Sequence, residues 1–118
     1  MEHKHALIKG FIKTPPNEAQ LKEWLTFLVQ SIDMKIMMGP YVQYLDVEGN
    51  RGVTGVVVIE TSHCSVHIWD EQSPALIQMD VYSCKEFDPH KIINCLLRFG
   101  LESYDILTVD RNEKLRVI

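Results

Sequence analysis

Cysteine is scarce in this chain. Cys64, Cys84 and Cys95 are three in 118 residues, an odd and widely spaced set that argues against a disulfide framework and leaves three expected thiols. No Cys-x-x-Cys or comparable close pair is present, so the usual structural zinc motif is missing. His63 and His67 do not replace it, because on a strand they share a face about 13 Å apart at ~3.3 Å per residue. No metal site is expected. Nor is positive charge in excess: the net charge is −4, which offers nucleic acid and anionic membranes no general electrostatic attraction. No apolar run approaches the ~20 residues that span a bilayer, and Met1-Glu-His-Lys-His lacks the apolar stretch of a signal peptide. The expected location is the cytoplasm. Repeats and low-complexity segments are also absent, and 118 residues of which 46% are apolar suit one core, so residues 1–118 are expected to form a single domain.

The patterning that is present alternates strands with two helices. Ala6 to Lys13 has strand character and stops at Thr14-Pro-Pro-Asn17. Asn17 with Gln20 makes a capping box, and Leu21, Trp24, Leu25, Leu28 and Ile32 recur at helical spacing, which makes Trp24 a core residue. Lys35 to Met38 and Tyr41 to Val47 read as one interrupted strand or two short ones around Gly39-Pro40. Glu48-Gly-Asn-Arg-Gly52 is a turn, and Val53 to Ile59 is apolar enough for burial on both faces or a central place in a sheet. Cys64 to Trp69 alternates, with His63, Ser65, His67 and Trp69 on one side and Cys64, Val66 and Ile68 on the other. Ala75 to Ser83 pairs back as a hairpin or sheet return. Asp88-Pro89 opens a second helix with Ile92, Ile93, Leu96 and Leu97 as its buried stripe, Gly100 ends it, and Tyr104 to Val109 is the last strand. The expected class is α+β, a mainly antiparallel sheet with two helices packed on one face.

Chemistry concentrates where the apolar strand ends, at Glu60-Thr-Ser-His-Cys-Ser-Val-His67, followed by Trp69-Asp-Glu71 and Asp80-Val-Tyr-Ser-Cys84. A serine whose preceding carbonyl is strained can attack that carbonyl, shift the chain from amide to ester, and eliminate to leave a pyruvoyl group on a new amino terminus. The route needs a constrained peptide, donors for the oxyanion and a base. Ser62, Thr54 and His67 are the residue types that meet those needs. Strict alternation puts Ser62 and His67 on opposite faces, so a bend or bulge near the cleavage point is expected if they are to act together.

Gly52-Val53-Thr54-Gly55, the strand Val56 to Ile59, Thr61-Ser62-His63, His67, Trp69-Asp70-Glu71 and Asp80-Val81-Tyr82-Ser83-Cys84 together resemble, in order and register, the self-cleaving pyruvoyl-dependent S-adenosylmethionine decarboxylases of bacteria and archaea. The resemblance implies cleavage between Thr61 and Ser62, with Ser62 as the pyruvoyl precursor, Thr54 and His67 assisting self-processing, and Cys84 as proton donor in decarboxylation. It also implies S-adenosylmethionine as substrate for polyamine (spermidine) synthesis, Trp69 and Glu71 as substrate contacts, and a homodimer. The pyruvoyl carbonyl condenses with a substrate amine and takes up the electrons released with carbon dioxide. Thr61 stands where the family carries glutamate, and the turn Val47 to Arg51 lacks the family's aromatic residue and holds Glu48. Two alternatives follow: a pyruvoyl decarboxylase of another amino acid, ornithine or arginine, and an uncleaved relative that binds a small molecule or regulates a partner.

Overall fold

Each element forms where local chemistry favours it. In the computed structural model, which describes residues 2–118, the first strand β1 (Lys4–Ile12) buries Ala6, Ile8 and Ile12 on alternate positions. Pro15 and Pro16 end it, and Asn17 caps helix α1 (Glu18–Ser31) through a full capping box with Gln20. That arrangement satisfies two backbone donors that the first helical turn otherwise leaves free. Leu21, Trp24, Leu25, Leu28 and Val29 bury one side of α1. Full burial of each leucine contributes about 2 kcal/mol, so the face rather than helix propensity holds α1 in place.

The strands β2 (Ile36–Leu45), β3 (Gly52–Ile59), β4 (Ser62–Trp69) and β5 (Ala75–Ser83) follow as an antiparallel meander. Helix α2 (Pro89–Leu96) starts at the Asp88 cap and runs into a 3-10 turn, Leu97–Phe99, which Gly100 terminates in the left-handed conformation at φ 68°. Strands β6 (Leu101–Asp110) and β7 (Arg116–Val117) complete a seven-stranded sheet in the order β2-β3-β4-β5-β1-β6-β7. The expected α+β architecture is what forms. The stretch around Gly39-Pro40 is one strand with shifted register rather than two strands, since proline cannot donate to the ladder and tolerates only an edge position.

Both helices lie on one face, where Val57, Ile59, Cys64, Val66, Ile68, Ile77, Met79 and Val81 are buried with them. Trp24 belongs to this core at 3% exposure, its indole N–H donating to the Cys95 carbonyl at 2.8 Å. The three cysteines are free thiols. The second face of the sheet carries no covering layer among the described residues. β3 therefore departs from the expectation of burial on both faces: its Thr54 and Val56 are exposed, Val56 at 37%. β3 is also next to the edge strand rather than central in the sheet.

Candidate active site

Ser62 begins β4 directly after the two-residue connection Glu60-Thr61, with Ile59 and Ser62 as the closing pair of the β3–β4 hairpin. Its φ of 147° is a value that an L residue other than glycine adopts only under strain. The carbonyl that precedes Ser62 is also held: Thr61 O accepts the backbone N–H of Cys84 at 2.9 Å. A hydrogen bond to that oxygen draws electron density from the carbonyl carbon and favours the charge that an attacking nucleophile creates there. Thr61 Oγ1 in turn accepts from Ser83 Oγ at 2.9 Å and donates to Met34 Sδ at 3.2 Å. The Thr61-Ser62 peptide is thus clamped between the end of β5 and Met34 in the α1–β2 connection.

Thr54 and His67 sit elsewhere. They are register partners of β3 and β4 on the uncovered face, with Thr54 Oγ1 3.0 Å from His67 Nδ1 and the imidazole stacked on Trp69 at a centroid distance of 5.8 Å. Two glycines fix the place of Thr54. A Cβ on Gly52 would stand 1.8 Å from the Ile68 carbonyl oxygen, and one on Gly55 would meet Leu25 Cδ1 at 2.7 Å, so the motif packs β3 against both β4 and α1. Beside Thr54 lies a groove of about 740 Å³ along the sheet edge, which Tyr41, Gln43, Glu18 and Lys22 also line.

Ser62 and His67 are not brought together within one chain. The ladders β3–β4 and β4–β5 run without a register shift, so the expected bulge does not form. Ser62 falls in the row of Cys64, Val66 and Ile68 that faces the helices, while His67 shares the open face with His63, Ser65 and Trp69. Five residues of strand separate the two by roughly 16 Å. The strain at the expected cleavage point sits in φ of Ser62.

Trp69 and Glu71 lie at the far end of β4 from Ser62, and both engage the β2–β3 turn. The indole N–H of Trp69 donates to Asn50 Oδ1 at 2.7 Å. Glu71 accepts the backbone N–H groups of Gly49 and Arg51, each at 3.1 Å, and pairs with the Arg51 guanidinium at 3.4 Å. Those two backbone donors, ahead of Arg51, hold its carboxyl below the ordinary glutamate value. Cys84 is half-buried, and its backbone rather than its thiol makes the contact with Thr61. Burial pushes the Cys64 thiol up to about 12, which leaves that side chain as packing. Sequence reasoning missed the Cys84 N–H and the Ser83 hydroxyl as members of the site. No local signal announces them, because Ser83 comes opposite Ser62 in the β4–β5 ladder, whose register is set across the five-residue connection Asp70 to Pro74 at the other end of both strands.

Fold and site together define a two-layer α+β protein that holds a serine peptide under strain at the rim of an antiparallel sheet. Residues 14–112 match the model of the S-adenosylmethionine decarboxylase family, and the chain belongs to that family. It is similar to the S-adenosylmethionine decarboxylase proenzyme of Clostridium botulinum, 31% identical over 78 residues that cover 65% of this chain and 62% of that protein. The proenzyme of the same name from Pyrococcus horikoshii is 47% identical over 47 residues, 39% of this chain and 32% of that protein. The matched stretch thus spans less than two thirds of these relatives' length. The fold is also that of the adenosylmethionine decarboxylase of Aquifex aeolicus, whose crystal structure superposes with a TM-score of 0.71 over 94% of this chain and 91% of that one at 23% identity. No described helix is long and apolar enough to cross a membrane.

Proposed function

We propose that this chain is a precursor that cuts itself between Thr61 and Ser62, and that the product decarboxylates S-adenosylmethionine to supply polyamine (spermidine) synthesis. The observation that carries the reading is the Thr61 carbonyl bound to the Cys84 N–H immediately before a serine at φ 147°. Ser62 Oγ attacks the Thr61 carbonyl carbon, the C–O bond forms, the C–N bond breaks, and the nitrogen takes up the hydroxyl proton. A base then removes the Ser62 Cα proton while the Cβ–Oγ bond breaks, releasing Thr61 as a carboxylate. The residual dehydroalanine tautomerises, takes up water and loses ammonia to leave the pyruvoyl group. That group serves as the electron sink of the decarboxylation. Cys84 protonates the product carbon, its thiol serving as the general acid beside the cleaved peptide.

His67, oriented by Thr54, is the base of this scheme, and its distance from Ser62 in the same chain gives it to a second copy. Tyr41, Val56 and Leu107, exposed by 61%, 37% and 46%, are apolar positions on the open face that a second sheet covers. A homodimer packed on that face with antiparallel strands carries the Thr54–His67 pair of one copy to the sheet end where the other holds Ser62, whose φ of 147° departs from the strand alternation that turns Cys64, Val66 and Ile68 to the helices. Trp69 and Glu71 travel with that pair as substrate contacts, the indole for the adenine and the carboxylate for ribose hydroxyls, once the β2–β3 turn releases them.

The test is the intact mass of the purified protein under denaturing conditions, with borohydride or a hydrazine to trap a carbonyl. Two fragments divided at Thr61/Ser62, the second with a reactive carbonyl, together with carbon dioxide release from carboxyl-labelled S-adenosylmethionine, are the expected result. Ser62→Ala should abolish both. An intact chain with no carbonyl overturns the proposal.

A further inference from the structure

Ser83 is the only polar residue among the described residues to be fully buried, at 0% exposure. Burying a hydroxyl is unfavourable unless every hydrogen-bonding capacity is met, and alanine at this core position would avoid the cost. The hydroxyl is therefore informative through its partners. Ser83 Oγ accepts the Lys85 N–H at 3.0 Å and donates to Thr61 Oγ1 at 2.9 Å, and Thr61 Oγ1 donates onward to Met34 Sδ at 3.2 Å. The chain of donors runs in one direction from the backbone of Lys85 to the sulfur of Met34, a buried residue. It ends on the side chain of the residue whose carbonyl the Cys84 N–H holds.

We propose that Ser83 is a positioning residue for the self-cleavage: its hydroxyl fixes the Thr61 side chain and so keeps the Thr61 carbonyl on the Cys84 amide and in reach of Ser62 Oγ. The inference rests on the self-cleavage reading above. Ser83 touches neither the reacting carbon nor the nucleophile through its hydroxyl, and acts through Thr61. The connection Glu60-Thr61 has only two residues, so fixing one side chain removes most of its freedom to rotate the peptide that follows. A merely structural Ser83 has a different signature. It would serve the Lys85 turn alone, and changes at Thr61 would leave the cleavage rate untouched.

The chain is synthesised in a cell-free system, and the appearance of the two fragments is followed by mass for wild type, Ser83→Ala, Thr61→Val, the double variant and Ser83→Thr. Ser83→Ala and Thr61→Val should each slow cleavage about tenfold, the rate equivalent of one neutral hydrogen bond. The double variant should be no slower than either single one, because both remove the same contact. Ser83→Thr, which keeps the hydroxyl and adds a methyl beside the adaptable Met34 thioether, should restore the rate to within about threefold of wild type. Wild-type rates in both single variants, or losses that multiply, overturn the role. A second readout does not depend on cleavage. In the Ser62→Ala chain, hydrogen exchange of the Cys84 amide should accelerate about tenfold on adding Ser83→Ala, by the same hydrogen-bond equivalence, while the Val81 amide of the same strand is unchanged. If wild type never cleaves, the self-cleavage reading fails, and the Cys84 exchange still decides whether Ser83 holds the Thr61 carbonyl on that amide. An unchanged Cys84 amide overturns it whatever cleavage does.

Discussion

Thr54 Oγ1 and His67 Nδ1 face each other at 3.0 Å across the β3–β4 ladder, yet the strand that carries His67 places it roughly 16 Å from the serine at its own beginning. In the tautomer whose Nδ1–H donates to the Thr54 hydroxyl, Nε2 is left to accept a proton. On the proposed scheme this pair acts on the serine of a second copy.

Two inactive chains should therefore rescue each other. On the proposed scheme Ser62→Ala cannot be cut and His67→Ala lacks the base, but a dimer of one of each would pair an intact Ser62 with His67 of the other copy. Mass spectrometry of a co-refolded mixture should show fragments that derive from the His67→Ala chain alone. Absence of fragments from the mixture, with wild type cleaving normally, would place both residues in one chain's site.

Cys84 should separate the two reactions. Its backbone N–H holds the Thr61 carbonyl, so Cys84→Ala keeps cleavage within a few-fold of wild type, whereas loss of the proton donor lowers decarboxylation by about 10²-fold. Cleavage is read from fragment masses and decarboxylation from released carbon dioxide. In the native protein an alkylating reagent should reach Cys84 before the buried Cys64 and Cys95.

Glu71 gives the β2–β3 turn a pH dependence whose sign is set by its depressed pKa. The contribution is complete above the ordinary glutamate value of 4.5, and it is lost as pH falls through the lower folded value. Thermal unfolding of wild type should weaken across that acid window, and Glu71→Gln should flatten that part of the profile. The two curves should differ most above the window.

The two glycines of the β3 motif are expected to differ in tolerance. Gly55→Ala pushes a methyl onto the Leu25 and Leu21 side chains, which can shift, at a cost of about 1–3 kcal/mol. Gly52→Ala meets the rigid Ile68 carbonyl at φ 157°, and should cost more than ~3 kcal/mol or prevent folding. Denaturant titration of Gly55→Ala and soluble yield of Gly52→Ala check the order.

Local signals account for most of what the sequence made legible. Asn17 with Gln20, Asp88 before Pro89, and Gly100 each act within a few residues, and each ends or begins an element as expected. The alternation of Cys64 to Trp69 likewise predicts the two faces of β4. What was not legible depends on contacts between distant segments. The partners of Glu71 lie twenty and twenty-two residues away, and no spacing rule announces that a loop carboxylate will anchor a turn. Val56 reads as core because it is apolar, but whether a second layer covers β3 is a property of the fold and its partners. The Ser62–His67 separation was foreseeable from parity, but the absence of a bulge to undo it was not.

The order of the strands bears on what a cut after Thr61 leaves behind. β1, α1, β2 and β3 precede the cut and β4 to β7 follow it, but β1 is inserted between β5 and β6 while β3 lies against β4. The halves are interlocked, and neither comes free unless three ladders open together. A cut chain of this topology should stay whole on gel filtration without any tether. Once it does unfold, refolding becomes a meeting of two molecules, so its melting temperature acquires a dependence on concentration beyond that of the uncut chain.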